Sequence, residues 1–182
     1  MEHNHPDIES VLVDERQIQE TVERVGAEIT RDYAGESIVL VCILNGAFIF
    51  ASDLMRHIDL PCSIDFMSVS SYGNDTKSSG VVKVLQDLRQ DVAGRHVVIV
   101  EDILDTGCTL SHVVEMLKGR GAASVEIATF AIKDLPDVER PVTARYIGVH
   151  VPNEFVVGYG LDYAERYRNL PYVGILKPEV YA

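Results

Sequence analysis

The stretch VVIVEDILDTGCTL, residues 97–110, decides the fold of this chain. Its first four residues, 97–100, are β-branched and unbroken, a pattern that predicts a strand buried on both faces of a sheet. Glu101 and Asp102 follow at the point where we expect this strand to end. A turn of small and polar residues comes next, and apolar residues then recur at helical spacing from Leu110. The stretch therefore predicts a strand, a loop and a helix in succession.

The loop between this strand and this helix has the composition of a phosphate site. It reads Asp105, Thr106, Gly107, Cys108 and Thr109, and a glycine and threonine loop that opens a helix presents unpaired backbone N–H groups. Those groups and the positive end of the helix dipole can hold a phosphate without a basic side chain. The alternative is an ordinary strand-to-helix connection that binds nothing.

Two adjacent carboxylates, Glu101 and Asp102, lie just before this loop. Like charges at the end of a strand repel each other unless a cation neutralises them, and this end of the strands is where open α/β sheets bind ligands. Carboxylate oxygens suit a hard cation that also contacts ligand hydroxyls. The pair therefore favours the binding interpretation of the loop.

Composition limits the classes of protein to consider. The chain has 182 residues, of which 47% are hydrophobic, and this length suits one compact domain. Its formal net charge of -12, from 16 basic and 28 acidic residues, argues against nucleic acid or an acidic membrane as a partner. Polyanions are bound by basic patches, so any phosphate must be bound locally by the fold.

Cysteine usage and the first residues indicate a compartment. The three cysteines are too few, and odd in number, for a disulfide framework, and none has the spacing of a zinc site. Residues 1–25 carry seven acidic side chains without the apolar core of a signal peptide, and no later run reaches membrane-spanning length. We therefore expect a cytoplasmic protein, with residues 1–7 as a disordered tail.

A second strand-to-helix pattern precedes the central one. Asp14 and Gln17 have capping-box spacing at the start of an amphipathic helix that we expect to cover one face of the sheet. Residues 37–44 (SIVLVCIL) then predict a buried strand that leads through Asn45 and Gly46 into another helix. This second loop is expected at the same end of the sheet as the first.

A polar segment, residues 71–80, separates two strand patterns at 62–70 and 81–85. Its only apolar anchor is Tyr72, so we expect the segment to be mobile in the free protein. From composition alone, a plain surface loop is the simpler interpretation.

Two residues near the end of the chain have a plain and a functional interpretation. Lys133 ends a strand pattern at 124–132 and is expected to share an edge of the sheet with Glu101 and Asp105. It is either a solvated lysine or a hydrogen-bond donor to a ligand. Phe155 opens a segment of aromatics and glycines, and by itself it predicts a core residue.

Together these stretches resemble the type I phosphoribosyltransferases, and within that family the bacterial hypoxanthine-guanine enzymes. Residues 101–109 (EDILDTGCT) are similar to the family's phosphoribosyl-pyrophosphate signature, and Ser71 with Tyr72 resembles its flexible catalytic flap. Lys133 resembles the purine-contacting lysine, and residues 155–163 (FVVGYGLDY) resemble the base-binding segment. Four separated motifs in the right order favour the functional interpretation at each of these places.

The resemblance implies a fold and a reaction. The fold is a parallel α/β sheet flanked by helices, with a small hood from the terminal segments over the base site. The reaction transfers a 5-phosphoribosyl group from phosphoribosyl pyrophosphate to N9 of hypoxanthine or guanine, which gives IMP or GMP and releases pyrophosphate. Mg²⁺ is the implied cofactor, and the implied partners are these small-molecule substrates and further copies of the chain, as a homodimer or homotetramer.

The resemblance also assigns roles to single residues. Asp105 is implied as the general acid/base at N7 of the purine. The residues implied to bind phosphoribosyl pyrophosphate are Glu101, Asp102, Asp105, Thr106, Gly107, Cys108, Thr109, Asn45, Gly46 and Arg168. Those implied to bind the purine are Lys133, Phe155, Val156, Leu161 and Asp162. The implied metal ligands are Glu101, Asp102 and Asp162, and the flap that excludes water carries Ser71 and Tyr72.

Two positions depart from the family pattern: Cys108, where other members carry lysine or asparagine, and Asn45. Asn45 stands where members often have lysine or arginine, in a turn that resembles their pyrophosphate-binding loop with its non-proline cis peptide. Asparagine offers hydrogen-bond donors but no charge, which leaves open the affinity for pyrophosphate and any subunit contact through a basic side chain.

Three other functions stay open at this point. An RNA-binding regulator with the same fold is disfavoured by the acidity of the chain. An adenine or pyrimidine phosphoribosyltransferase is disfavoured by Lys133, because an ammonium donor suits a 6-oxo group and not the amino group of adenine. The third alternative is a nucleotide-binding protein without catalysis, in which Asp105 would have no catalytic role.

Overall fold

A computed structural model describes residues 5–71 and 82–182 of the chain. Its elements, in chain order, are β1 Ile8–Val13, α1 Glu15–Asp32, β2 Ile38–Leu44, α2 Phe48–Met55, β3 Cys62–Ser71, β4 Val82–Gln86, β5 His96–Leu104, α3 Cys108–Gly119, β6 Ser124–Lys133, β7 Tyr146–Val151, β8 Val156–Val157, β9 Val173–Leu176 and α4 Pro178–Tyr181.

In the described part of the chain, six strands form the central sheet, in the order β4-β3-β2-β5-β6-β7. All neighbours in it are parallel except β3 and β4, which pair antiparallel. The α/β class predicted from the sequence is confirmed, although the sheet is mixed and not wholly parallel. The exception agrees with the spacing in the sequence, because ten residues separate β3 from β4, fewer than a parallel crossover usually needs.

The two central strands are buried on both faces, as their unbroken apolar sequences predict. Along β2, Leu40 and Cys42 pack on the side of α1 and α2, whereas Val39 and Val41 pack on the side of α3. All four are fully buried. The sheet therefore separates two cores and fixes the depth at which the loops after its strands emerge.

Strand β5 continues further than the sequence predicts. The expectation that it ends before Glu101 and Asp102 is wrong, because the parallel ladder with β6 pairs Glu101 with Thr129 and runs on to Leu104. Leu104 is buried, so an apolar end carries the strand past the two acids. The consequence is that both carboxylates are held by a rigid strand, and only the residues from Asp105 onward form the loop.

The predicted start of α1 is also observed in the structure. The Asp14 carboxylate accepts a hydrogen bond from the backbone N–H of Gln17, and the Gln17 side chain accepts one from the backbone N–H of Asp14. This capping box satisfies two backbone donors at the start of the helix. The buried face of α1, which includes Val22 and Val25, covers the sheet as expected.

A second, three-stranded sheet forms the hood, in the order β1-β9-β8, and both of its strand pairs are antiparallel. It joins the two terminal segments of the described chain around a small cluster of Ile8, Val157, Tyr167 and Leu176. The terminal hood is therefore present. No strand was predicted for β1, whose partner β9 lies far away in the chain.

The first described residues contact this hood. The backbone N–H of His5 donates to the Tyr172 hydroxyl over 3.0 Å, and the Tyr167 hydroxyl donates to the Asp7 carboxylate over 2.6 Å. Within the segment predicted as a tail, His5 and Asp7 are thus hydrogen-bonded to tyrosines of the C-terminal part of the chain. Among the residues that the structure describes, no helix combines the length and apolarity needed to span a membrane.

Asp65 stabilises the connection between β4 and β5. The residue is 4% exposed, and its carboxylate accepts hydrogen bonds from the backbone N–H groups of Phe66, Arg89 and Gln90. Burial raises its pKa, but these hydrogen bonds outweigh burial and the net pKa is lowered. The charged form therefore contributes to the free energy of unfolding above the unfolded pKa of about 3.9, and this contribution is lost as pH falls through the lower folded pKa.

We expect Asp65→Ala to lower the free energy of unfolding at pH 7 by about 2–4 kcal/mol, because three backbone N–H donors lose a charged, buried acceptor. The exposed Asp59 provides the control Asp59→Ala, which should change it by less than about 0.5 kcal/mol. Urea unfolding of both variants at pH 7 and pH 3 measures the effect, and the difference between Asp65→Ala and wild type should shrink at the lower pH. An unchanged difference at the lower pH would contradict the assigned role of the charge.

Candidate active site

Two neighbouring cavities open at the carboxyl edge of the central sheet. The larger, of about 360 Å³, lies between the loops that follow β2 and β5. The smaller, of about 290 Å³, lies between the loops that follow β5 and β6 and the segment around β8. Both are lined by Asp102, Ile103, Asp105 and Asp162, so the two cavities meet along one wall.

The loop between β5 and α3 forms the floor of the larger cavity. Gly107 lies in the left-handed region, at a φ of 77°, and is the residue from which α3 begins. Its carbonyl accepts the first helical hydrogen bond, from the N–H of Ser111. The N–H groups of the first helical turn have no partner within the helix, so they can receive an anion.

Glu101 and Asp102 occupy the wall above this loop. Desolvation of the Glu101 carboxyl, and secondly the charge of Asp102, hold the pKa of Glu101 well above its usual range. Asp102 is fixed by a hydrogen bond of 2.7 Å from the backbone N–H of Ile103 to its carboxylate. A cation or a hydroxyl-rich ligand beside this pair would relieve the repulsion between the two acids.

The described residues, 5–71 and 82–182, contain no cluster of three or more histidine, cysteine, aspartate or glutamate side chains that could hold a metal ion alone. Magnesium sites commonly use one or two carboxylates and take their other oxygens from substrate phosphates and water. Glu101 and Asp102 fit such a shared site, which needs a phosphate-bearing ligand to complete it.

The loop after β2 closes the other side of the larger cavity. Its first peptide bond, between Leu44 and Asn45, is cis. Gly46 packs so closely on Asp102 that a Cβ atom there would lie 1.5 Å from a carboxylate oxygen. Gly160 in turn packs on the Gly46 carbonyl oxygen, which a Cβ atom would approach to 2.1 Å. The absence of side chains at the two glycines therefore allows three separate segments to meet.

The smaller cavity combines a cation with an aromatic ring. Lys133, at the end of β6, places its ammonium nitrogen 3.7 Å from a carboxylate oxygen of Asp105. Phe155 is 37% exposed, and the centroid of its ring lies 5.3 Å from that of Tyr163 and 5.0 Å from that of Tyr181. This arrangement can offer a flat ligand a stacking surface and a hydrogen-bond donor.

Arg168 lines the larger cavity, with its side chain 20% exposed. It donates to the Gly160 carbonyl oxygen over 2.8 Å and forms ion pairs with Asp162 at 3.0 Å and Glu165 at 3.1 Å. Its position is therefore set by its own segment, and the guanidinium faces the larger cavity with one of the predicted metal ligands bound to it.

The structure brings together almost all of the residues implied by the resemblance. Every residue assigned to phosphoribosyl pyrophosphate lines the larger cavity, and every residue assigned to the purine lines the smaller one. Tyr72 of the predicted flap lies outside the described residues, as does the side chain of Ser71. Arg140 was not predicted from the sequence. Its guanidinium donates to the backbone carbonyl oxygens of Asp105 and Lys133, two residues that line the smaller cavity.

This geometry agrees with comparisons to known proteins. A family model described as "Phosphoribosyl transferase domain" matches residues 10–164. The chain belongs to that family.

More specific relatives narrow the class. The chain is 52% identical over 176 residues to the hypoxanthine-guanine phosphoribosyltransferase of Streptococcus pneumoniae (strain ATCC BAA-255 / R6), covering 97% of both chains. It is also similar to a crystal structure of a Staphylococcus aureus hypoxanthine phosphoribosyltransferase, with a TM-score of 0.93 and 48% identity, covering 98% of this chain and 96% of that one.

Another relative is a longer protein. The chain is 51% identical over 182 residues to the "Bifunctional protein TilS/HprT" of Listeria monocytogenes serotype 4b (strain F2365), and this match covers all of the chain. It spans 28% of the length of that relative. The similarity thus concerns one part of the bifunctional protein.

Proposed function

We propose that this protein transfers the 5-phosphoribosyl group of phosphoribosyl pyrophosphate to N9 of hypoxanthine or guanine, a reaction of purine salvage. One observation carries the proposal: a cavity floored by a phosphate loop shares the wall of Asp102, Asp105 and Asp162 with a cavity that contains Lys133 and Phe155. A ribose that spans the shared wall would have its 5-phosphate in one cavity and its base in the other.

The larger cavity is proposed to bind the sugar phosphate. The backbone N–H groups and hydroxyls of residues 105–109 would receive the 5-phosphate at the start of α3. Glu101 and Asp102 would accept hydrogen bonds from the ribose hydroxyls and hold Mg²⁺ together with the substrate's oxygens. Asn45, the Gly46 backbone and Arg168 would contact the pyrophosphate, with Arg168 as the charged group.

Catalysis in this site depends on charge and on exclusion of water. Breaking the bond at C1 of the ribose leaves an oxocarbenium-like sugar, which nearby carboxylates stabilise. Bound Mg²⁺ would neutralise charge on the departing pyrophosphate. Asp105 is proposed to exchange a proton with N7 of the purine, and the ammonium of Lys133 lies beside it at 3.7 Å.

Base selection is proposed to arise in the smaller cavity. Lys133 would donate to the 6-oxo group of the purine, and Phe155 would stack on its ring. The backbone around Val156 and Asp162, with Leu161 beside them, would contact the opposite edge of the base. Asp162 would lie close enough to the pyrophosphate side to assist a second Mg²⁺ once its ion pair with Arg168 opens.

Three parts of the proposal rest on the family resemblance. Ser71 and Tyr72 are proposed to cover the sugar during transfer, which would keep water from the activated carbon. The protein is proposed to form a homodimer or homotetramer, which sedimentation equilibrium would distinguish. A cytoplasmic location is also proposed, and the free state of Cys42, Cys62 and Cys108 suits a reducing compartment.

Pyrophosphate release tests the proposed reaction. Purified protein with Mg²⁺ and phosphoribosyl pyrophosphate is offered hypoxanthine, guanine, xanthine, adenine or uracil in separate reactions. We expect turnover with hypoxanthine or guanine that EDTA abolishes.

The other outcomes separate the parts of the proposal. Turnover only with adenine or uracil would contradict the assignment of Lys133 but leave the phosphate site intact. Tight binding of phosphoribosyl pyrophosphate without turnover on any base would refute the enzyme and make the RNA-binding regulator the next hypothesis to test.

A further inference from the structure

The guanidinium of Arg140 joins the two loops on which the proposed chemistry depends. Arg140 lies in the connection between β6 and β7. Its Nε donates to the backbone carbonyl oxygen of Asp105 over 2.6 Å, and one of its terminal nitrogens donates to the carbonyl oxygen of Lys133 over 2.5 Å. One side chain thus holds the backbone of both residues.

These two carbonyl groups lie just beyond the last ladder pair of β5 and β6. The parallel ladder between β5 and β6 ends with the pair Leu104 and Ile132, so Asp105 and Lys133 are the next residues of each strand. Beyond this point the strands are no longer tied to each other by ladder hydrogen bonds. Arg140 supplies that tie with charge-assisted bonds, which are stronger than neutral ones.

The residues next to Arg140 support the phosphate loop from the same side. A Cβ atom at Gly107 would lie 3.0 Å from the Val142 side chain and 3.8 Å from Pro141. The segment 140–142 therefore contacts the loop twice, through the guanidinium at Asp105 and through apolar packing at Gly107. The hydrogen bond and the packing both hold the loop against this segment, and the guanidinium also ties it to the end of β6.

We infer that Arg140 is a positioning residue that sets the Asp105 carboxylate and the Lys133 ammonium relative to each other for reaction on a 6-oxopurine. This inference rests on the proposed function. The two side-chain groups are 3.7 Å apart, and both are proposed to act on the same edge of the base. Errors of about 1 Å in such a pair can reduce turnover about 100-fold, so a tie between their backbones has a direct effect on rate.

Arg140→Met tests this role, because methionine keeps part of the side-chain volume without any donor. We expect kcat with hypoxanthine to fall by about 30-fold or more, while the Kd for phosphoribosyl pyrophosphate with Mg²⁺ stays within about threefold of wild type. Arg140→Lys should recover part of kcat, since an ammonium can still donate to one of the two carbonyls.

Arg145→Met is the matched control. Arg145 lies in the same connection, immediately before β7. It forms ion pairs with Asp32 at 3.0 Å and Glu126 at 3.5 Å, away from both cavities. Its loss should leave kcat within about twofold of wild type, because exposed ion pairs contribute little. A fall in kcat in both variants would indicate a general effect of losing an arginine and would overturn the inference.

Hydrogen exchange gives a readout that does not depend on turnover. In Arg140→Met, amides of residues 103–107 and 131–134 should exchange faster together, by about fivefold or more, while those of α1 stay unchanged. Arg145→Met should not produce this paired change. If wild type lacks turnover, the proposed function fails, and exchange still decides whether Arg140 ties the two loops.

Two outcomes would overturn the role of Arg140. Unchanged exchange in both segments would show that the tie is not made in solution. Faster exchange with unchanged kcat in an active enzyme would show that the tie does not serve the reaction.

Discussion

Replacing Asp105 by asparagine should reduce kcat by about 10²–10⁴-fold, the range over which a positioned general acid or base acts. The carboxylate lies on the wall shared by the two cavities, with the Lys133 ammonium 3.7 Å away. Asparagine has nearly the same shape and keeps the backbone carbonyl that Arg140 contacts. It cannot exchange a proton with N7 of a purine, so the loss should fall on the chemical step.

Single-turnover kinetics with calorimetric binding separate the two effects. Asp105→Asn should bind phosphoribosyl pyrophosphate with Mg²⁺ to within about threefold of wild type, while the rate of nucleotide formation falls. The exposed Asp137 in the β6–β7 connection provides the control Asp137→Asn, which should retain full activity. If binding and turnover fall in parallel, Asp105 has a role in the ground state, and the acid/base assignment is wrong.

The parts of the site that could be predicted from the sequence are those that depend on neighbours in the chain. The strand, loop and helix of residues 97–110 could be identified because the change from β-branched residues to a glycine-containing turn and then to helical spacing is local. The same reasoning identified Asn45 and Gly46. The end of β5 was placed too early, because Leu104 lies beyond two acids and its burial depends on the rest of the fold.

Contacts between distant segments leave no such local pattern. Gly160 is required where it approaches the carbonyl of Gly46, and nothing near either glycine in the sequence indicates this contact. Arg140 was missed for the same reason, because its partners are backbone carbonyls, which every residue has. Family resemblance supplied the roles of Lys133 and Phe155, whereas composition alone favoured a solvated lysine and a core aromatic.

Gly46→Ala should reduce kcat/KM for phosphoribosyl pyrophosphate by about 100-fold, which corresponds to about 2.7 kcal/mol. The added Cβ would lie 1.5 Å from a carboxylate oxygen of Asp102 and 2.6 Å from its carboxyl carbon, so the carboxylate must leave its position. That movement breaks the hydrogen bond of 2.7 Å from the Ile103 N–H and removes one of the two acids proposed to hold the ribose and Mg²⁺. Because the atom displaced is the end of a side chain and not backbone, the fold should tolerate the change, and the melting temperature should fall by less than about 4 °C.

The end of α3 provides a matched substitution for Gly46→Ala. A Cβ at Gly119 would have no heavy atom within 4 Å, so Gly119→Ala should keep full activity and raise the free energy of unfolding by about 0.5–1 kcal/mol. Initial rates at saturating hypoxanthine over a range of phosphoribosyl pyrophosphate concentrations, with melting temperatures of both variants, measure the contrast. The position of the Asp102 carboxylate depends on the absence of a side chain at Gly46. An active Gly46→Ala enzyme would therefore mean that Asp102 can work from a different position. The assignment of ribose and Mg²⁺ binding to Asp102 in its observed position would then be wrong.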